Sequence, residues 1–174
     1  MKRSILTALA LAAVASASLA GTAQAGYSTV EQCTALSGTI TYTPGLKATP
    51  GAVSAIVTGT LAGCSGQNGA QAGTGTFFAQ LSSPAASKTV NNEAGTFVIN
   101  WPAASGLNPT TGVINLAGPN ASQYVLNGAD RAGAYASGVL SGGLVITGQT
   151  LNKKKVVSQS FINTLPLAIK VNFG

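Results

Sequence analysis

This sequence predicts an all-β fold: a single antiparallel β-sandwich, Ig-like in general architecture, held by one disulfide and preceded by a cleaved signal peptide. Three observations carry the prediction. Apolar residues recur with period two in many short segments, as they do in strands with one buried face. Clusters of Gly, Pro, Asn and Ser separate those segments, and such clusters punctuate β structure. No window beyond the N-terminal segment carries an apolar stripe of helical period.

The segments follow in order. "SGTITYTP" alternates Ile40 and Tyr42 against threonines. Residues Ala52 to Cys64 form a longer β-branched candidate, and Gly73 to Leu81 form the next. Phe77 and Phe78 are adjacent, so a regular strand sends them to opposite faces. Gly95 to Pro102 alternates Phe97, Ile99 and Trp101. "GVINLAG", "SQYVLNG", "GVLSGGLVITGQTL", "KVVSQSFINTL" and "PLAIKVNF" complete the chain. About eight to ten strands at this spacing argue for a sandwich or a barrel. An outer-membrane barrel calls for aromatic girdles and uninterrupted strands. The few aromatics and glycine-broken segments here favour the sandwich.

The N-terminus reads as an export signal. Lys2 and Arg3 precede an apolar stretch from Ile5 to Leu19, and Ala23-Gln24-Ala25 supplies small residues for cleavage. This is the three-part pattern of a secretory signal peptide. Residues 1–25 are then the signal peptide and 26–174 a single domain, cleaved between Ala25 and Gly26. No transmembrane segment is expected in the mature chain. "LAGC", ending at Cys64, spells a lipid-attachment box. Such a box belongs at the end of the apolar stretch, and Cys64 lies far beyond it, so the motif reads as a strand end. Cys33 and Cys64 are the two cysteines of the chain. In an exported protein such a pair predicts a disulfide, worth roughly 3–4 kcal/mol for a loop of this length.

Composition narrows the chemistry. The sequence has no histidine, the usual general base and partner of a nucleophile. Without imidazole, two thiols cannot close a tetrahedral zinc shell, so no metal and no cofactor are expected. A carboxylate pair of the glycosidase kind would have to come from Glu31, Glu93 and Asp130, the three acids of the chain. Asp130 reads as a turn residue with Arg131 as its local charge partner. "GCSGQ" and "VLSGG" each miss one glycine of the Gly-x-Ser-x-Gly elbow. The run "GQNGAQAGTGTFF" lacks the following helix and the lysine of a phosphate loop, and reads as a connection. Asn120-Ala121-Ser122 matches a glycosylation acceptor, a short motif that carries no weight alone. No catalytic residue is assigned.

Seven bases follow residue 26: Lys47, Lys88, Arg131, Lys153, Lys154, Lys155 and Lys170. Lys153-Lys154-Lys155 reads as a solvated turn between two strands, and doubles as a contact point for an acidic polymer or membrane surface. Nucleic-acid binding needs a broader basic face interleaved with aromatics, which is not seen. Trp101 reads as a core residue, with sugar stacking as its functional alternative.

Cys33, "TITYTPGL", "TGTLAGCSG", the "TGTF" strand, Trp101 and "ASGVLSGGL" stand in an order that resembles uncharacterised small secreted β-rich proteins of actinobacteria. The resemblance implies a β-rich fold and export, and no catalytic residues. Chaperone–usher pilins are a weaker comparison, because too few residues precede Cys33 for a donor strand. The expected function is a non-catalytic exported protein acting by surface contact in the cell envelope or outside the cell. The alternatives are a self-assembling surface subunit, through glycine-rich edge strands, and a hydrolase using carboxylates or a Ser–Lys pair.

Overall fold

The structure, a computed structural model, describes residues 27–66, 73–120 and 122–172. The expected signal peptide and cleavage site, residues 67–72 of the glycine-rich run and the centre of the Asn120-Ala121-Ser122 motif lie outside the described residues. Eight strands follow in chain order: β1 (Tyr27–Leu46), β2 (Gly51–Gly66), β3 (Gly73–Ala86), β4 (Asn91–Asn100), β5 (Thr110–Asn120), β6 (Gln123–Ala132), β7 (Val139–Asn152) and β8 (Lys155–Asn172). A short 3-10 turn, Ala103–Ser105, interrupts the link between β4 and β5.

The architecture corrects the sandwich expectation. Each strand pairs antiparallel with the next, and β1 pairs with β8, so the sheet closes into one barrel. Alternation of apolar and polar residues is the same in both architectures. What separates them is the pairing of the first strand with the last, which no local pattern encodes. The short segments also merge. "GVLSGGLVITGQTL" is one strand, β7, and the two C-terminal segments are one strand, β8. Register shifts in the β1–β8 and β7–β8 pairings bend these long strands around the barrel, as bulges do.

Closure also demands close backbone approaches. A Cβ on Gly38 would overlap the carbonyl oxygen of Thr58 on β2 and press on the ring of Phe161. Glycine is therefore the residue that lets β1 and β2 cross here over a packed interior.

Side chains fill that interior, as an eight-stranded barrel allows. Ile40, Val57, Leu61, Phe77, Leu81, Phe97, Ile99, Leu116, Leu126, Leu140 and Phe161 are all buried. Phe77 stacks on Phe97 with ring centroids 6.1 Å apart, while Phe78 is half-buried, as the alternation predicts. The outer wall is rich in hydroxyls and amides: Ser37, Thr39, Thr41, Thr58, Thr60, Thr76, Gln80, Thr96 and Asn115 are exposed, with Ile56, Val113, Val125, Ile162 and Leu165 scattered among them. Ser37 and Thr60 hydrogen-bond across β1 and β2 at 3.3 Å, and Thr39 and Thr58 at 3.1 Å. A packed apolar interior differs from the wet lumen of a membrane pore.

Cys33 and Cys64 face each other in the β1–β2 register and form a disulfide, both buried. "LAGC" lies near the end of β2, and its sulfur is bonded to Cys33.

Candidate functional site

Two features stand apart from ordinary barrel packing: acids that point inward, and lysines that gather at one end. An up-and-down meander places alternate turns at the same end. The turns after β1, β3 and β7 share what is here termed the lysine end. The turns after β4 and β6 lie at the disulfide end, beside Cys33 and Cys64.

The three acids of the sequence, Glu31, Glu93 and Asp130, are all buried, at 1%, 0% and 2% exposure. Their placement follows from period two. Glu31 shares a face with Cys33, Glu93 with Phe97 and Ile99, and Asp130 with Leu126 and Tyr124. The same parity stands in the sequence, although its local setting there predicts Asp130 as a turn residue paired with Arg131. The structure corrects that reading. Asp130 lies on the inner face near the end of β6, its backbone bonded to Gly138 and Ser137, and among the described residues neither carboxyl oxygen has a hydrogen-bond partner. Arg131 points outward and is exposed.

Each acid responds to its surroundings in one direction. Burial pushes Glu93 up to about 7 and Asp130 up to about 6, because a low-dielectric interior disfavours the charged form. Both carboxyl oxygens of Glu93 also lack partners. Burial raises Glu31 as well, opposed by the 2.7 Å hydrogen bond that the Tyr135 hydroxyl donates to its Oε2. Below about pH 6 the interior therefore holds Glu93 and Asp130 as neutral acids, where free carboxyls would already be ionised.

Glu93 lies close enough to Tyr42 and Tyr124 to oppose ionisation of both phenols, adding to the larger effect of burial. Around it runs a closed polar network. Tyr42 and Tyr124 each donate to Oε1 of Gln159, at 2.7 and 2.9 Å, and the Asn91 amide donates to the Tyr124 hydroxyl at 2.7 Å. Replacing Tyr124 by Phe strands the Asn91 amide in the interior. The expected cost is about 1–3 kcal/mol, read as a lower urea midpoint; an unchanged midpoint contradicts the network.

At the disulfide end Trp101 is buried. Its indole N–H donates to Thr110 at 3.0 Å and its ring meets Tyr135 edge-on, 6.0 Å between centroids. The sequence offered Trp101 as core or as a sugar platform. It serves here as a plug, and its remaining edge borders an open depression of about 490 Å³ lined also by Thr60, Thr76 and Asn100.

Glu31, Cys33 and Cys64 bring their ligand atoms within 4.8 Å of one another. Both sulfurs are spent in the disulfide, which leaves one carboxyl and no thiolate to hold an ion. The depression beside Trp101 is not lined by Glu31, Glu93 or Asp130, nor are the surface depressions lined by Val113, by Thr49, by Gln80 and by Pro84.

The cations lie elsewhere. Lys153 and Lys154 form the two-residue turn between β7 and β8, and Lys155 opens β8. Lys155 packs beside Gly45, and Lys47 follows Leu46, which pairs with Val156. The Lys88 amide donates to the Lys47 carbonyl at 2.8 Å. The structure thus joins Lys47 and Lys88 to the run at 153–155, a gathering that needs the barrel topology to be seen. Arg131 and Lys170 sit toward the disulfide end. No protein-family model, curated protein or solved structure matches this chain.

Proposed function

We propose that the protein is an exported, non-catalytic barrel that works by surface contact in the cell envelope or outside the cell. The observation that carries this reading is the segregation of charge. Every acid of the sequence is buried away from the surface depressions described above, and the charged side chains that the outer wall presents, among hydroxyls, amides and scattered apolar groups, are cations. A general acid or nucleophile must reach its substrate, and these carboxyls face packed side chains. The N-terminal signal pattern and the buried disulfide are consistent with life outside the reducing cytosol. The resemblance to small secreted β-rich proteins points the same way.

The self-assembly alternative rested on free edge strands. Closure of β1 on β8 removes those edges, since a barrel presents no unpaired strand to a second copy.

Purified residues 26–174 tested against glycoside, ester and peptide substrates should show no turnover above a denatured control. Glu93→Gln and Asp130→Asn should leave that background unchanged. A rate that disappears in either variant contradicts the reading.

A further inference from the structure

We propose that the lysine end of the barrel binds a flexible, linear polymer of closely spaced phosphate groups, an inference that rests on the surface-contact reading above.

The first ground is one-signed charge. Lys47, Lys88, Lys153, Lys154 and Lys155 share this end, and no acidic side chain of the protein is on the surface to oppose them. An anionic chain therefore meets attraction with no repulsive neighbour, and cannot be displaced by an internal carboxylate.

The second ground is the turn itself. Lys153 and Lys154 adopt φ of +45° and +67°, the left-handed conformation at both central positions of a two-residue hairpin. Such turns favour Asn-Gly, because a Cβ crowds the backbone at positive φ, which Gly avoids and Asn tolerates best. The chain instead places two lysines at the exposed tip, against the local preference. Strain kept at an exposed site is a pointer to function.

The chemistry of the patch selects the partner. Every cation at this end is a lysine, a compact point charge that reads charge density and not the planar geometry that an arginine fork would read. The tyrosines nearest this end, Tyr42 and Tyr124, are buried, and so offer no stacking platform for bases. A polymer recognised here is one whose repeating phosphates can bend around the rim, and two sources supply it: inorganic polyphosphate and a polyol-phosphate chain of a cell envelope.

The test uses purified residues 26–174 with fluorescent long-chain polyphosphate, poly(glycerol phosphate) and a short duplex DNA. Binding is followed over a range of salt. For five contacts to a flexible chain, log K should fall with log salt at a slope of up to about −3.5. The decisive variant is Lys153→Asn with Lys154→Gly, which suits the turn better than the native pair. It should be at least as heat-stable as the wild type, bind at least tenfold more weakly, and lose about 1.4 of the slope. Arg131→Gln, at the opposite end, should bind as the wild type does. The tighter of the two flexible polymers identifies the source. No binding to either, equal binding by the turn variant, or duplex DNA bound as tightly as the flexible chains overturns the proposal. Polymer length after incubation is read in parallel. Shortening by the wild type contradicts the non-catalytic reading, whereas intact polymer without binding contradicts only the rim.

Discussion

Raising the pH from about 4 to about 8 will lower the stability of the folded barrel by several kcal/mol, opposite to the behaviour of proteins whose carboxylates are ion-paired. Glu93 stands at about 7 in the fold against an ordinary value of 4.5, and Asp130 at about 6 against 3.8. Between the two values the unfolded chain has given up the proton and the folded chain still holds it. Stability is full below the unfolded value, declines through the interval, and is lost once the folded value is passed. At about 1.4 kcal/mol per pH unit of displacement, each acid accounts for up to about 3 kcal/mol. Urea midpoints of the wild type should fall steadily across this range and level off above neutrality. Glu93→Gln, which cannot ionise, should remove about half of the fall and should exceed the wild type in stability at about pH 8. A flat wild-type profile, or one that rises with pH, would falsify the placement of neutral acids in the interior.

Reduction of the disulfide should cost almost as much. Cys33 and Cys64 are separated by 31 residues and staple β1 to β2 from inside the core. Opening that loop in the unfolded chain releases entropy worth roughly 3–4 kcal/mol. The barrel keeps its other pairings, so the folded state should persist with a lower denaturant midpoint and a steeper slope, because the reduced unfolded chain exposes more surface. Equal midpoints with and without reductant, after thiol counting has established full reduction, would contradict this. The effect should add to that of pH at the level of simple summation if Glu93 and the disulfide act at separate ends, as distant sites do.

Much of this molecule was legible before its structure. Period two found the strands, and the parity of Phe77 and Phe78 correctly assigned one ring to each face. The cysteine pair was read from its number alone. The barrel was not legible, because the bond between Ser37 on β1 and Ile162 on β8 joins residues at opposite ends of the domain, and alternation serves a sandwich equally well. The inward acids were legible in principle. Glu93 stands in phase with Phe97 and Ile99, yet charge argues for solvent so strongly that phase was overruled at Asp130. The lysine rim was half legible. The run at 153–155 is plain in the sequence, but Lys47 and Lys88 join it only because the turns after β1, β3 and β7 of a meander share one end.

The central claim is that the protein hides all its acids, so that every charged side chain on its outside is a cation. Carbodiimide coupling of an amine at about pH 5, read by peptide mass spectrometry, tests this most directly, because it marks only carboxyls that reagent can reach. The native protein should carry no label at Glu31, Glu93 or Asp130, and the reduced, denatured protein should carry label at all three. Labelling of Glu93 or Asp130 in the native protein at the denatured rate would contradict the account.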